Sequence, residues 1–155
     1  MTLFFTLLVL FGGTSFISGS GQHVTCERSY YKLGCYQDRQ WSRAMSKLLI
    51  SDRVKSSQGR SVDWNNWEDY LHGLACRCAQ AASQQGYTMF GLQHYGECWS
   101  GPESCDLYSR HGDSQLCIGK NYTRCDINDE SECVGESNAN FVYLLLEEPE
   151  EEHVI

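Results

Sequence analysis

Five histidines, nine cysteines and 20 carboxylates are the groups in this 155-residue chain that could catalyse or ligate. The histidines (His23, His72, His94, His111 and His153) stand in none of the spacings of a nucleophile elbow, a helical metalloprotease pair or a dinucleotide-binding turn. A cysteine nucleophile needs a free thiol beside a base, and an oxidising export route works against that. Zinc sites built on thiolates use two spaced pairs, whereas the one close pair here is Cys76-Arg77-Cys78 with no matching second pair. The residue types therefore point to a non-catalytic protein and imply no cofactor.

The carboxylates come in two groups. In Asp126-Ile127-Asn128-Asp129-Glu130-Ser131-Glu132, oxygen-bearing side chains alternate as in an EF-hand loop, but the required glycine is Ser131 and the closing glutamate is Ser137. No specific metal site follows from that. The second group is the tail, where Glu147, Glu148, Glu150, Glu151 and Glu152 surround Pro149. Such a run cannot bury enough apolar area to offset its ordering entropy, so residues 147–155 are expected to be disordered. Its hard oxygens suit weak contact with calcium or a mineral surface. The formal charge of −8 disfavours nucleic acid as a partner.

All nine cysteines (Cys26, Cys35, Cys76, Cys78, Cys98, Cys105, Cys117, Cys125 and Cys133) follow an uncharged start. Leu3 to Phe11 is apolar except for Thr6, and small residues follow at Gly12 to Ser15 and again at Ser18 to Gly21. This is the pattern of a secretory leader over residues 1–21, with cleavage near 19–21. It is too short to span a bilayer, and no other segment is long and apolar enough. In an exported chain the cysteine density reads as a disulfide framework, and an odd count leaves one thiol over. Asn121-Tyr122-Thr123 is a glycosylation sequon in a polar, cysteine-rich stretch, which places Asn121 on the surface. Among the aromatic residues, Trp99 in a glycine-flanked turn and nearby Tyr95 are candidates for ligand contact, since flat rings stack on sugars and on proteins.

These residues need elements to hold them. Tyr30 to Tyr36 reads as a first strand and residues 51–61 as an exposed loop. The clearest helix runs from Trp64 to Gln85, with Asp63 as N-cap and Gly86 as its left-handed stop. Trp64, Trp67, Leu71, Leu74, Cys78 and Ala81 form its apolar stripe, so both tryptophans are assigned to the core and Cys76 to another face. Tyr87 to Tyr95 reads as a central strand, with Phe90, Leu92 and His94 on one face. Residues 103–140 read as crosslinked loop and Phe141 to Leu146 as the last strand. The expected fold is α+β: a small disulfide-rich domain over residues 22–146, with one main helix packed on a short, mostly antiparallel sheet and long crosslinked loops. A helix stripe facing the central strand would bring Cys78 to Cys98 in the turn beyond it, while Cys35 and Cys133 lie beside the outer strands.

Several runs occur together: Gly34-Cys35-Tyr36-Gln37-Asp38, the helix bearing Cys78, Phe90-Gly91-Leu92-Gln93, and Gly96-Glu97-Cys98-Trp99-Ser100-Gly101. In this order they resemble the WSC domain, a small extracellular cysteine-rich module similar to PAN/apple and kringle-type folds. Phe90 to Gly101, with Cys133-Val134-Gly135 leading to Asn140-Phe141-Val142-Tyr143, is similar to secreted cnidarian proteins, some resembling the organic matrix of coral skeletons. Cys26, Cys76 and Cys105 lie outside the shared set. The resemblance implies a secreted, non-catalytic protein of the extracellular matrix that binds glycans or matrix proteins. The alternative it implies is a structural component of a mineralised matrix, in weak contact with calcium through the acidic tail.

Overall fold

The computed structural model describes residues 25–54 and 60–147. The expected leader, part of the expected 51–61 loop, and the tail glutamates Glu148, Glu150, Glu151 and Glu152 lie outside the described residues. The elements run β1 (Tyr30–Gln37), β2 (Lys47–Ser51), α1 (Trp67–Gln84), β3 (Met89–Gln93), β4 (Glu97–Ser100), α2 (Ser104–Leu107), β5 (Cys117–Ile118), a 3₁₀ turn (Lys120–Tyr122), β6 (Val134–Gly135) and β7 (Ala139–Leu145). This is a small α+β domain held by four disulfides.

Five strands form one antiparallel sheet in the order β1-β7-β3-β4-β2, and β5 pairs with β6 in a separate two-stranded ribbon. Strand alternation gives the sheet two apolar faces. Phe90, Leu92, Cys98, Phe141 and Tyr143 point toward α1 and pack on Trp67, Leu71, Leu74, Ala75, Cys78, Ala79 and Ala82. Met89 and Val142 point the other way and pack with Met45, Leu33, Tyr36, Trp99 and Tyr108. The central strands are thus covered on both sides, which explains why every residue of β3 is buried.

Several elements differ from those expected, and two of the differences have a clear physical cause. The helix begins at Trp67 because Asp63 closes a turn ahead of it: its Oδ1 accepts from the amides of Asn65 and Asn66. Hydrogen bonds to Asn66 and Asn65 hold the Asp63 carboxyl below the usual carboxylate range. Trp64 therefore lies outside the helix and is 47% exposed, whereas Trp67 is buried. The apolar stripe ends on Ala82, which is buried, instead of Ala81.

Strand β3 stops at Gln93, not Tyr95. His94 and Tyr95 take φ values of 51° and 66° and turn the chain into β4. Left-handed backbone is unfavourable for such side chains, and hydrogen bonds from both amides to the Glu136 and Gly135 carbonyls hold it in place. Strand β2, with Ser51 inside it, has no counterpart among the expected elements. The 103–140 stretch, expected as loop, contains α2, β5, the 3₁₀ turn, β6 and the start of β7.

Two glycines give opposite expectations for the same substitution. A Cβ on Gly135 would collide with the carbonyl of Ala139, whose backbone cannot yield without breaking β7. Gly135→Ala is expected to lower stability by about 3 kcal/mol, through forced displacement in a packed site. At Gly73, inside α1, an added Cβ would meet nothing within 4 Å. Gly73→Ala should raise stability by about 1 kcal/mol, the helix-propensity difference. Urea melts of both variants against the parent check the two signs.

Candidate functional site

The buried carboxylates are committed to structure. Asp38 accepts from Arg43 Nη1 at 2.7 Å, from the Ala44 amide at 2.9 Å and from Gln93 Nε2 at 3.1 Å. Asp52 accepts from Arg77 Nη2 at 2.6 Å and from the Tyr70 hydroxyl at 3.0 Å. Burial first, and Asp52 second, raise the Tyr70 phenol above its ordinary range. Each buried charge is met by an opposite charge and further donors, the condition under which burial is tolerable.

Trp99 belongs to the same arrangement. The Arg43 guanidinium lies 3.9 Å from the centre of its ring, and its Nε1–H donates to Glu97 at 2.9 Å. One face of this ligand-contact candidate is therefore taken within the chain. Tyr95 is half-buried and leans on Trp64 at a centroid distance of 5.5 Å. Trp64 stacks on Trp67 at 5.2 Å, and Tyr122 also stacks on Trp67 at 5.2 Å. The Tyr122 hydroxyl donates to the Trp64 carbonyl, and Trp67 Nε1–H donates to the Gly119 carbonyl. Asn121 sits beside this cluster, exposed in the 3₁₀ turn, with φ of 54°.

The EF-hand-like segment is arranged around a side chain. Lys32 of β1 reaches across and donates through Nζ to the Asp126 carbonyl at 2.9 Å and the Asp129 carbonyl at 2.8 Å. Asp126 and Asp129 use their own carboxylates to accept from the amides of Asn128 and Ser131. An ammonium thus neutralises the carbonyl cluster, while the carboxylates close local turns. Desolvation lowers the Lys32 pKa, and the surrounding Asp129, Glu132 and Asp126 charges oppose that shift. Of the tail glutamates, Glu147 alone is described, and it is exposed.

The disulfides pair Cys26 with Cys76, Cys35 with Cys117, Cys78 with Cys98, and Cys125 with Cys133, with Cα separations of 5.0, 6.0, 5.6 and 5.7 Å. Cys105 is a free, exposed cysteine with its sulfur 2.9 Å from the Thr88 hydroxyl. Cys78–Cys98 is fully buried between α1 and β4. Cys26–Cys76 is on another flank of α1, and both of its cysteines are partly buried. Its sulfurs and a ring nitrogen of His72 lie within 4.8 Å of one another. Such a trio has metal-ligand spacing, but sulfurs bonded to each other are not thiolate donors. The other described histidines do different work: His94 Nδ1 lies 3.6 Å from Glu97, and His111 Nε2–H donates to the Ser42 carbonyl at 2.6 Å.

One aromatic residue absent from the sequence-derived candidates is the most exposed large hydrophobic side chain among the described residues. Trp41, between β1 and β2, is 86% exposed. It stands beside a groove of about 670 Å³ that mixes polar residues, among them Gln37, Arg39, Gln40, Asp113 and Asn138, with the exposed Leu116. The signal available in the sequence is its setting: a lone tryptophan in the polar run Asp38-Arg39-Gln40-Trp41-Ser42-Arg43, with an arginine at each alternate position beside it. A second depression of about 380 Å³, beside Cys35, Cys117 and Cys125, has no exposed aromatic ring on its wall.

No family model matches the chain, and no curated protein matches it. No helix among the described residues is long and apolar enough to cross a membrane.

The Lys32 arrangement predicts a local effect. Lys32→Ala should accelerate amide exchange at Asn128 and Ser131 by about tenfold, given loss of two charge-assisted hydrogen bonds. Amides of β3 and β7 should keep their protection, which hydrogen-exchange mass spectrometry can follow in one experiment.

Proposed function

We propose that this chain is a secreted, non-catalytic module of the extracellular matrix that binds glycans through the groove beside Trp41. The observation that carries the reading is the combination of an 86% exposed indole with a concave surface of mixed polar and apolar residues. An indole left in water has no structural return of its own, while a pyranose ring offers it a flat C–H face to cover. Gln37, Gln40 and Asn138 supply amide donors and acceptors, and Asp113 and Arg39 supply charged ones, as sugar hydroxyls require. The groove floor is stiffened from behind. The Asp38 carboxylate turns inward to Arg43 and Gln93, and Gln37 Nε2 donates to the Asp113 carbonyl at 3.1 Å. The WSC-like runs support the same class of ligand, and the leader-like start supports secretion.

A glycan array probed with the parent chain and with Trp41→Ala tests this. The parent should bind a restricted set of glycans, and Trp41→Ala should lose about tenfold or more in affinity, the value of one stacked ring. Its melting temperature should be unchanged, because the side chain packs on little. Trp99→Ala should behave the other way, losing stability through the Arg43 contact. Equal binding by the parent and Trp41→Ala would place the ligand elsewhere.

A further inference from the structure

The Cys26–Cys76 disulfide is placed in a setting that none of the other three shares. His72 and Cys76 are four residues apart on α1, so they stand one above the other on the same face. His72 Nε2 lies 3.6 Å from Cys76 Sγ and 4.0 Å from Cys26 Sγ. The other ring nitrogen, Nδ1, donates to Glu132 Oε1 at 2.7 Å. The same carboxylate oxygen accepts from the Tyr30 hydroxyl at 3.0 Å, and that hydroxyl is 3.4 Å from Cys26 Sγ. Glu132 is the residue next to Cys133, and Tyr30 is the start of β1, so two separate elements converge on one bond.

Each part has a chemical consequence. The carboxylate fixes the imidazole's orientation, so that in the protonated ring Nε2–H points at the sulfurs. Thiol–disulfide exchange is governed by attack of a thiolate and by how well the departing sulfur carries negative charge. A cation held against Cys76 Sγ stabilises that sulfur as a leaving group. Access is also present, since both cysteines are only partly buried, whereas each of the other bridges has at least one buried cysteine.

We propose that Cys26–Cys76 is a thiol–disulfide exchange site, with external thiols as its substrate class and His72 as the acid that serves the leaving sulfur. A thiolate RS⁻ attacks Cys26 Sγ and forms an RS–S bond there. The Cys26–Cys76 bond breaks with its electron pair on Cys76 Sγ, which takes the proton from His72 Nε2. The product is a mixed disulfide on Cys26, a Cys76 thiol and a neutral imidazole still hydrogen-bonded to Glu132. The thiol is a small molecule such as glutathione or a cysteine of another protein; no other reactant is needed. Opening removes the covalent tie between Cys26 and α1, leaving the Gln80–Glu27 hydrogen bond between the same segment and the helix, while Cys78–Cys98 continues to hold the helix on the sheet.

The test uses the oxidised full chain treated with limiting glutathione across a pH series, quenched with maleimide and mapped by mass spectrometry. Cys26–Cys76 should open about tenfold faster than each of the other three bridges, within what a positioned acid supplies. The glutathione should be found on Cys26, not on Cys76. His72→Asn should remove most of the rate difference, and its deficit should narrow as pH rises and the parent's imidazole gives up its proton. The other bridges should open at unchanged rates in that variant. Exposure alone would give fast opening that survives His72→Asn with the same pH profile, and that result would overturn the assignment. So would prior opening of any other bridge, or the adduct on Cys76; both are read from the parent chain and need no variant to fold.

Discussion

The hydroxyl of Tyr143 must be satisfied in a place where no water reaches it, and the way this is done organises the helix side of the sheet. Tyr143 is fully buried in β7. Its oxygen accepts from the Cys133 amide and donates to the Cys133 carbonyl, both at 2.7 Å. Burial holds its pKa well above the ordinary phenol range, so it keeps the proton it donates. Its ring stacks on Phe90 at 4.9 Å and meets Tyr30 and Phe141 edge-on. A hydroxyl in this position costs several kcal/mol if left unpaired, about the scale on which folded proteins are stable at all. Cys133 is consequently fixed to the sheet, and with it the polar segment that would otherwise have little reason to stay.

From Cys133 the constraint passes outward. Cys125 is bonded to Cys133, so the 126–132 loop begins and ends at fixed points. Lys32 closes the loop from inside through two carbonyls. Glu132, next to the fixed residue, is delivered to Tyr30 and His72. The polar half of the chain has few apolar side chains to bury, and its order comes from disulfides, captured carbonyls and one buried phenol. Restricting the unfolded chain by crosslinks is the usual recourse where a small domain lacks core.

The groove and the exchange site follow from opposite treatments of polar groups. Around Trp41 the inward carboxylate of Asp38 is fully engaged, which leaves the groove wall rigid and its outward amides available to a ligand. Around Cys26–Cys76 the polar groups are aimed at a covalent bond that can be broken and remade. Neither role depends on the other: the groove is lined by the end of β1, the segment that follows it, the approach to β5 and Asn138 ahead of β7, and the disulfide joins the segment before β1 to α1.

Periodicity and local chemistry were enough to place much of the fold. The α1 stripe from Trp67 to Cys78, the strands at Tyr30, Met89 and Phe141, and the α+β class follow from spacings of two or of three and four, and the helix stop follows from Gly86. Cys78 was legible as a core-facing partner for Cys98 because both lie on short-range elements that must pack together. Everything else depended on contacts distant in sequence or on turns that compete with them. Asp63 shortened the helix and released Trp64 to solvent, and β2 formed because β4 offered an edge. Left-handed backbone at His94 and Tyr95 was set by carbonyls near residue 135. The surroundings of Cys26–Cys76 bring together residues 26, 30, 72, 76 and 132. No spacing rule links such positions; only the folded chain, with α1, β1 and the Cys133 loop in register, places their atoms within bonding reach.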